Sequence, residues 1–333
     1  MSAGEVYLTK GRYLTKGSIL LNKNGVILKG AGWDYDPFTG AKSGTVIEVQ
    51  DVVTNSLNVS GYHCRIQDIL INGNSKAVQA YCSVGYTCFS HFASVGHSSF
   101  NLYVCGNDNL ITNRCLFLGK RVKVDNVVTI DGLSYFNGNG ADICLEVLLG
   151  TAINIENCAF ESYLTNAILF SSNGNYYGVT IKGNYFESAA VVANAICAYS
   201  ASQSVGGAVI EGNYEAANVN TTNFINIYGA RGVSIKGNFS GHPIVIGAGT
   251  YDCDIMCSHN EAGVTYNTLT GLKSLKVVDR VSEFFGAAIP VAGTWPLGCK
   301  IRYTAPAAGG APGAIVTTPG TPGTWKEEAA LAA

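Results

Sequence analysis

The chain has 333 residues, a formal net charge of −2, charged side chains at only 13% of positions and 40 glycines. A charge content about half the roughly 25% of ordinary soluble proteins excludes a disordered polyelectrolyte and a charged helical bundle. The balance leaves no basic footprint for nucleic acid, and no apolar run approaches the ~18 residues that span a bilayer, so no membrane insertion is expected.

In chain order, the first segment is GEVYLTKGRYLTKGSILLNKNGVILKGAG, from Gly4 to Gly32, and it reads as paired strands. A first strand layer with nothing beneath it is an unpaired edge, which proteins cap. The cap is expected from a neighbouring chain or from further sequence.

From Ile66 onward the sequence repeats. Weaker copies come first: Ile66 in CRIQDILINGN, Phe89 in CFSHFASVG, Ile111 in LITNRCLFLG and Ile130 in VTIDGLSYF. Five clearer ones follow: INIENCAFES, VTIKGNYFES, AVIEGNYEAA, VSIKGNFSGH and CDIMCSHNEA, aligned on Ile155, Ile181, Ile210, Ile235 and Ile255. The steps are 23, 22, 19, 25, 26, 29, 25 and 20 residues. A unit of about 24 residues repeated along a chain is an array in which each unit covers its neighbour. The units are rich in Val, Ile, Tyr and Phe, alternate with period two and are bounded by Gly and Asn, which makes them strands and not helices. Short strands with polar bends at this repeat length predict an all-β fold, a single-stranded parallel β-helix over residues 1–265. Nine or ten coils stacked ~4.8 Å apart would give a rod about 45 Å long.

The alignment also predicts what stacks. The residue after each buried isoleucine points outward and reads Glu156, Lys182, Glu211, Lys236, a ladder of alternating sign. Three residues after the isoleucine come Asn184, Asn213 and Asn238. Asn tolerates left-handed backbone angles, and its amide can bond the Asn of the next coil. Eleven cysteines are scattered without a CxxC pair, so buried reduced thiols are expected instead of a zinc site or a disulfide framework. Beyond residue 265 the repeats stop. Pro306, Pro312, Pro319 and Pro322, with many glycines, make 266–333 a small turn-rich β segment that cannot continue the coils. Its Phe284, Phe285, Ile289, Trp295 and Trp325 need burial, which packing against other subunits would supply.

Paired carboxylates are the chemistry these units offer. Glycoside hydrolysis uses two, about 5–5.5 Å apart for retention or ~6.5–9.5 Å for inversion, and stacked coils supply the shorter spacing. Glu161 and Glu187 both fall six residues after their isoleucine, and Glu215 falls five after its own in a shorter unit. Like charges that close raise one pKa, as a general acid requires. Tyr185 and Tyr214 lie beside this column as candidates to bind sugar rings. The plainer reading is a solvated turn glutamate repeated with the unit. A second acidic group, Asp125, Asp131, Asp142 and Glu146, interrupts the regular repeats, and its Asn-Gly bends also suit turn formation. Asp131 and Asp142 are its catalytic candidates.

No metal or cofactor is expected. A calcium-dependent lyase would need converging carboxylates near Arg65, Arg114, Arg121 or Arg231, and only Asp252 and Asp254, flanking Cys253, come close. The five histidines are dispersed, and the glycine-rich stretch at Gly119–Arg121 lacks the phosphate-loop pattern.

The opening segment, the IKGNYFES-type units and the ending TAPAAGGAPGAIVTTPGTPGTWK together resemble the pectate-lyase-like right-handed parallel β-helix family, specifically bacteriophage tailspikes. The resemblance implies a homotrimer on the virion, made in the bacterial host cytoplasm, with 266–333 as trimerisation segment and a phage tail or baseplate protein as partner. It implies recognition of a bacterial surface polysaccharide, capsule or O-antigen, with depolymerisation by endo-glycoside hydrolysis. A non-catalytic adhesion or structural spike and a polysaccharide lyase are the alternatives. The N-terminal virion-anchoring domain usual in tailspikes is not matched.

Overall fold

A computed structural model describes residues 4–35, 39, 41–139, 142–171, 175–188, 191–198, 204–216, 220–246, 253–257, 259–260, 264–266, 275–279, 283–291, 297–320 and 322–330. Strands of successive coils pair in parallel, and the isoleucine file is real. Ile66, Phe89, Ile111, Ile130, Ile155, Ile181, Ile210, Ile235 and Ile255 face one another coil by coil. The first eight of them are buried. The file also runs upstream to Leu28, opposite Ile66, where the sequence repeat is too faint to detect. The chain is a parallel β-helix. A second sheet holds eleven strands, from Ile19–Leu21 to Val264–Tyr266, so the rod is about 48 Å long at ~4.8 Å per coil.

In the first sheet, early coils use one long strand, as in Arg65–Asn72 and Cys88–Val95. Later coils break it into two short ones, such as Ile153–Glu156 with Ala159–Glu161 and Thr180–Lys182 with Tyr185–Glu187. The break is a left-handed bend, taken by Asn157 (φ 53°), Gly183 (64°), Gly212 (64°) and Gly237 (58°). The glycine before each ladder asparagine therefore bears the strained angle that the sequence reading gave to the asparagine.

That frees Asn184, Asn213 and Asn238 to turn inward, where all three are buried. Asn184 Nδ2 donates to Asn213 Oδ1 at 3.0 Å, and Asn213 Nδ2 donates to Asn238 Oδ1 at 2.9 Å. Each Oδ1 also accepts the backbone N–H of the asparagine one coil earlier, at 3.0 Å. A second ladder, Asn166–Asn194–Asn223, runs in the other sheet at 3.1 and 3.0 Å. Beside the first ladder, Phe117, Phe136, Phe160 and Phe186 stack with centroids 5.1, 4.9 and 5.3 Å apart. Outside, Glu156, Lys182, Glu211 and Lys236 pair in the expected register, and Lys182 Nζ lies 3.8 Å from Glu211. The nine cysteines whose side chains are described are free thiols, seven of them buried. Burial pushes Cys115 and Cys144 up to about 12, so they behave as small apolar fillers.

The parallel sheet runs on through strand Leu275–Asp279, which pairs with Cys253–Cys257 beyond the last recognisable repeat. A separate four-stranded sheet then forms from Glu283–Gly286, Lys300–Tyr303, Gly313–Thr318 and Thr324–Glu327. It buries Cys299, Ile301, Ala314 and Val316. Phe284, Phe285 and Trp295 have side chains outside the described residues, and Trp325 Nε1 donates to the Pro322 carbonyl at 3.2 Å.

Candidate functional site

The site grows from two neighbouring outward files on the first sheet. One reads Leu118, Asn137, Glu161, Glu187, with each residue opposite the next in parallel register. Glu161 and Glu187 therefore sit on adjacent coils, their α-carbons about 4.8 Å apart. The other file reads Tyr135, Ala159, Tyr185, Tyr214, Phe239. Outward alternation puts the two files on the same face, two residues apart along each strand.

Each glutamate is held by a tyrosine. The Tyr135 hydroxyl donates to Glu161 Oε2, and Asn137 Nδ2 donates to the Tyr135 hydroxyl at 2.8 Å. The Tyr185 hydroxyl donates to Glu187 Oε2. The bond to Glu187 is the main cause that pushes Tyr185 up to about 12. Burial, aided by the bond to Glu161, raises Tyr135 as well. Both phenols are therefore protonated donors at neutral pH, and the two carboxylates are fixed in direction.

The aromatic file has one missing rung. Tyr185, Tyr214 and Phe239 stack on one another, with centroids 5.8 and 5.2 Å apart and planes within 13°. Their faces are spent on each other, so Tyr214 offers solvent a ring edge instead of the stacking face expected from its sequence. Between Tyr135 and Tyr185, however, stands Ala159, which is only partly buried. The α-carbons of the two tyrosines are two coils apart, about 9.6 Å, and Ala159 leaves a ring-free slot between them, toward which Tyr135 leans to reach Glu161. The slot has Ala159 as floor and the two carboxylates beside it.

Glu215 is not part of this site. The unit NYE lacks one residue relative to NYFE, and the missing one is the inward phenylalanine. Glu215 pairs with Phe186 and takes its interior place, 1% exposed, while Ala216 follows Glu215 where the earlier unit has Glu187. It accepts from the Ser240 hydroxyl and lies 2.8 Å from His242 Nδ1. Among the described residues its Oε1 has no hydrogen-bond partner. A polymer on the surface cannot reach it.

The structure does not bring Asp131 or Asp142 to the pair. Asp131 is half-buried at the bend after Val128–Ile130, one step past the Ile130–Ile155 pair and level with the charged ladder. Asp142 is exposed ahead of strand Ile143–Val147 in the second sheet, and its carbonyl accepts the Thr165 N–H at 2.8 Å. The rest of the second acidic group is bound up locally, with Glu146 3.2 Å from Arg121 and Asp125 raised by burial. Among the described residues no three His, Cys, Asp or Glu side chains gather as a metal site.

Sequence reasoning missed Tyr135 and Asn137. The signal was there, because Tyr135-Phe136-Asn137 matches Tyr185-Phe186-Glu187 with Asn in place of Glu and one extra residue in the bend. It also missed a hairpin, Trp33–Tyr35 with Lys42–Gly44, that folds over the early coils. Trp33 and Tyr35 pack there on an outer cluster of Val46, Leu70, Ala93, Val95 and Leu116. The Pro- and Gly-bearing run WDYDPFTGAKSG, inside an otherwise strand-like stretch, marks it in the sequence.

No protein-family model matches the chain, and no curated protein does. Among solved structures it is similar to the A-module of the mannuronan C-5 epimerase AlgE6 of Azotobacter vinelandii, at 13% identity and a TM-score of 0.41, over 81% of this chain and 90% of that one. It is also similar to ORF18 of Geobacillus virus E2, at 15% identity and a TM-score of 0.44, over 99% of this chain and 69% of that one. A third, tailspike protein 3 of bacteriophage CBA120, gives 14% identity and a TM-score of 0.29. There the match covers 99% of this chain and 59% of that one.

Proposed function

We propose that this β-helix binds a polysaccharide along the outer face of its first sheet and cleaves it by endo-glycoside hydrolysis at Glu161 and Glu187. The observation that carries the reading is their pairing, side by side on adjacent coils with a tyrosine donor on each, beside the ring-free position of Ala159. Backbones about 4.8 Å apart put the two carboxyls within reach of the ~5–5.5 Å separation of retaining glycosidases, in which one carboxyl protonates the leaving oxygen and the other attacks the anomeric carbon. Retention of configuration is the corresponding expectation. Tyr135 and Tyr185 would sandwich the sugar at the cleavage point, holding it against both acids.

The sequence resemblance to tailspikes supports a bacterial capsule or O-antigen as the polymer, and a homotrimer on a phage tail as the setting. The test is release of oligosaccharides from a panel of capsules and lipopolysaccharides. Glu161→Gln and Glu187→Gln should each lower turnover by about a hundredfold or more, as loss of an acid–base or nucleophilic group does, with binding retained. Turnover unchanged in both variants would return the chemistry to Asp131 and Asp142. Binding without any cleavage would make the chain an adhesin.

A further inference from the structure

Two cavities open on the same outer face, on the early coils. One, of about 510 Å³, is lined by Lys10, Arg12, Lys42 and Glu48 among others. The second, of about 310 Å³, is lined by Lys42, Lys120, Asn72, His97 and Asn139 among others. Lys42 borders both. They lie on the file that carries the proposed catalytic pair, since Glu48, Asn72, Val95, Leu118, Asn137 and Glu161 succeed one another coil by coil. Leu118, at the edge of the second cavity, is two coils from Glu161, about 9.6 Å.

The charge here is one-sided. Arg12 is spent on Glu48, whose other oxygen accepts from Asn72 Nδ2 at 3.3 Å. Burial pushes His97 down to about 4, so it adds no charge at neutral pH. What remains is Lys10, Lys42 and Lys120, none with a carboxylate within 4.0 Å among the described residues, on a chain whose net charge is −2. Lys42 is half-buried, where an ammonium without a counter-charge costs free energy. It is also held in place. Lys42 pairs with Tyr35 in the hairpin, and Trp33 of that hairpin stacks on His91 at 4.8 Å and donates its Nε1–H to the His91 carbonyl.

We infer that these cavities are subsites for the anionic groups of the polymer, and that the polysaccharide is acidic, bearing a carboxylate or phosphate on its repeating unit. The inference rests on the glycan reading above and adds the charge of the substrate. Lys42 and Lys120 would bind the anion of one repeat in the smaller cavity, and Lys10 and Lys42 that of the next in the larger one. The slot at Ala159, beside the two carboxylates, takes the ring being cut.

The experiment is titration calorimetry on the intact chain, using each acidic capsule oligosaccharide it binds and the carboxyl-reduced or dephosphorylated form of the same chain. Removing the anion should weaken binding about tenfold per lost charge-assisted hydrogen bond. Lys42→Gln and Lys120→Gln should weaken binding of the acidic form by the same factor, leave binding of the neutral form unchanged and not lower the unfolding midpoint, and Lys42→Arg should restore binding. Equal affinity for acidic and neutralised chains, or indifference to both lysine substitutions, overturns the inference while leaving the glycan reading intact. Displacement by millimolar inorganic phosphate alone, with no response to the length of the acidic chain, overturns it in favour of a small-anion site. Failure to bind any glycan, charged or neutral, overturns the glycan reading and this inference together.

Discussion

The coils from Ile153 to Ser240 and those from Thr45 to Asp125 have the same interior and different exteriors. In the later set the corners Asn184, Asn213 and Asn238 form a bonded ladder, capped on the first coil by Cys158, whose N–H donates to Asn184 Oδ1, and each charged rung faces its opposite. In the earlier set the corner at Cys115 is an apolar thiol, whose carbonyl accepts the Tyr135 N–H as the Asn184 carbonyl accepts that of Tyr214. There a hairpin, an outer apolar cluster and two cavities occupy the surface. Repetition builds the rod, and departures from repetition build the places where something else can bind. The candidate slot follows the same rule, because it exists where Ala159 interrupts a file of rings.

The largest effect should separate the two sets at their corners. Asn213→Ala removes the acceptor of the buried Asn184 N–H and Nδ2–H and the donor to the Ile181 carbonyl and Asn238 Oδ1. At ~1–3 kcal/mol for each buried group left unpaired, the loss is about 4 kcal/mol. Cys115→Ala, at the equivalent corner of an early coil, leaves only a small void and should cost about 1 kcal/mol. Urea midpoints at unchanged slope measure both, and equal losses would break the distinction between a bonded and a merely filled corner.

The early coils should in turn be the acid-sensitive ones. His97 is buried between the Ser56 and Ser94 hydroxyls, with Nε2 2.8 Å from Ser56 Oγ. Burial pushes its pKa from the ordinary 6.5 down to about 4. The folded state thus prefers the neutral ring, while the unfolded chain takes up a proton near 6.5. Stability from this group is complete above pH 6.5 and drains away as the pH falls toward 4, by roughly 3 kcal/mol. His97→Gln removes the titration, so the difference between the pH–stability curves of the two proteins should follow that window. A flat difference curve would mean that the ring is open to water.

How far these regions are legible in sequence depends on what each residue answers to. Ile155, Ile181, Ile210 and Ile235 are fixed by one requirement, a flat apolar interior repeated each coil, so a simple alignment recovers their file. Glu215 groups with Glu161 and Glu187 on the likeness of its motif, although it falls five residues after Ile210 and they fall six after theirs, because the residue deleted from NYE is the inward one. A strand shortened by one exchanges inside for outside, and the odd offset already carries that reversal. The Glu161–Glu187 pair was readable, since both offsets are six. Its tyrosine partner on the lower coil was hidden by one extra residue at Gly132–Leu133, where both residues adopt positive φ. The hairpin of Trp33–Tyr35 could be suspected from its Pro and Gly but not placed, because its partner His91 lies 58 residues away and nothing local specifies that contact.

The smallest effect concerns the alternating ladder on the regular coils. Lys182 stands between Glu156 and Glu211 in register, yet only Glu211 comes within 4.0 Å of its ammonium, at 3.8 Å, and both side chains are about half exposed. Water and salt screen such a pair, so Lys182→Ala should cost between 0 and about 1 kcal/mol. The more informative variant is Lys182→Glu, which sets three like charges in a row at ~4.8 Å spacing. It should destabilise the protein more than the alanine does at low salt, and the excess should vanish near 1 M salt, where the Debye length is about 3 Å. An excess that survives high salt would mean that the ladder acts by packing its side-chain stems and not by its charges. The asparagine corner alone would then have to hold the register of these coils.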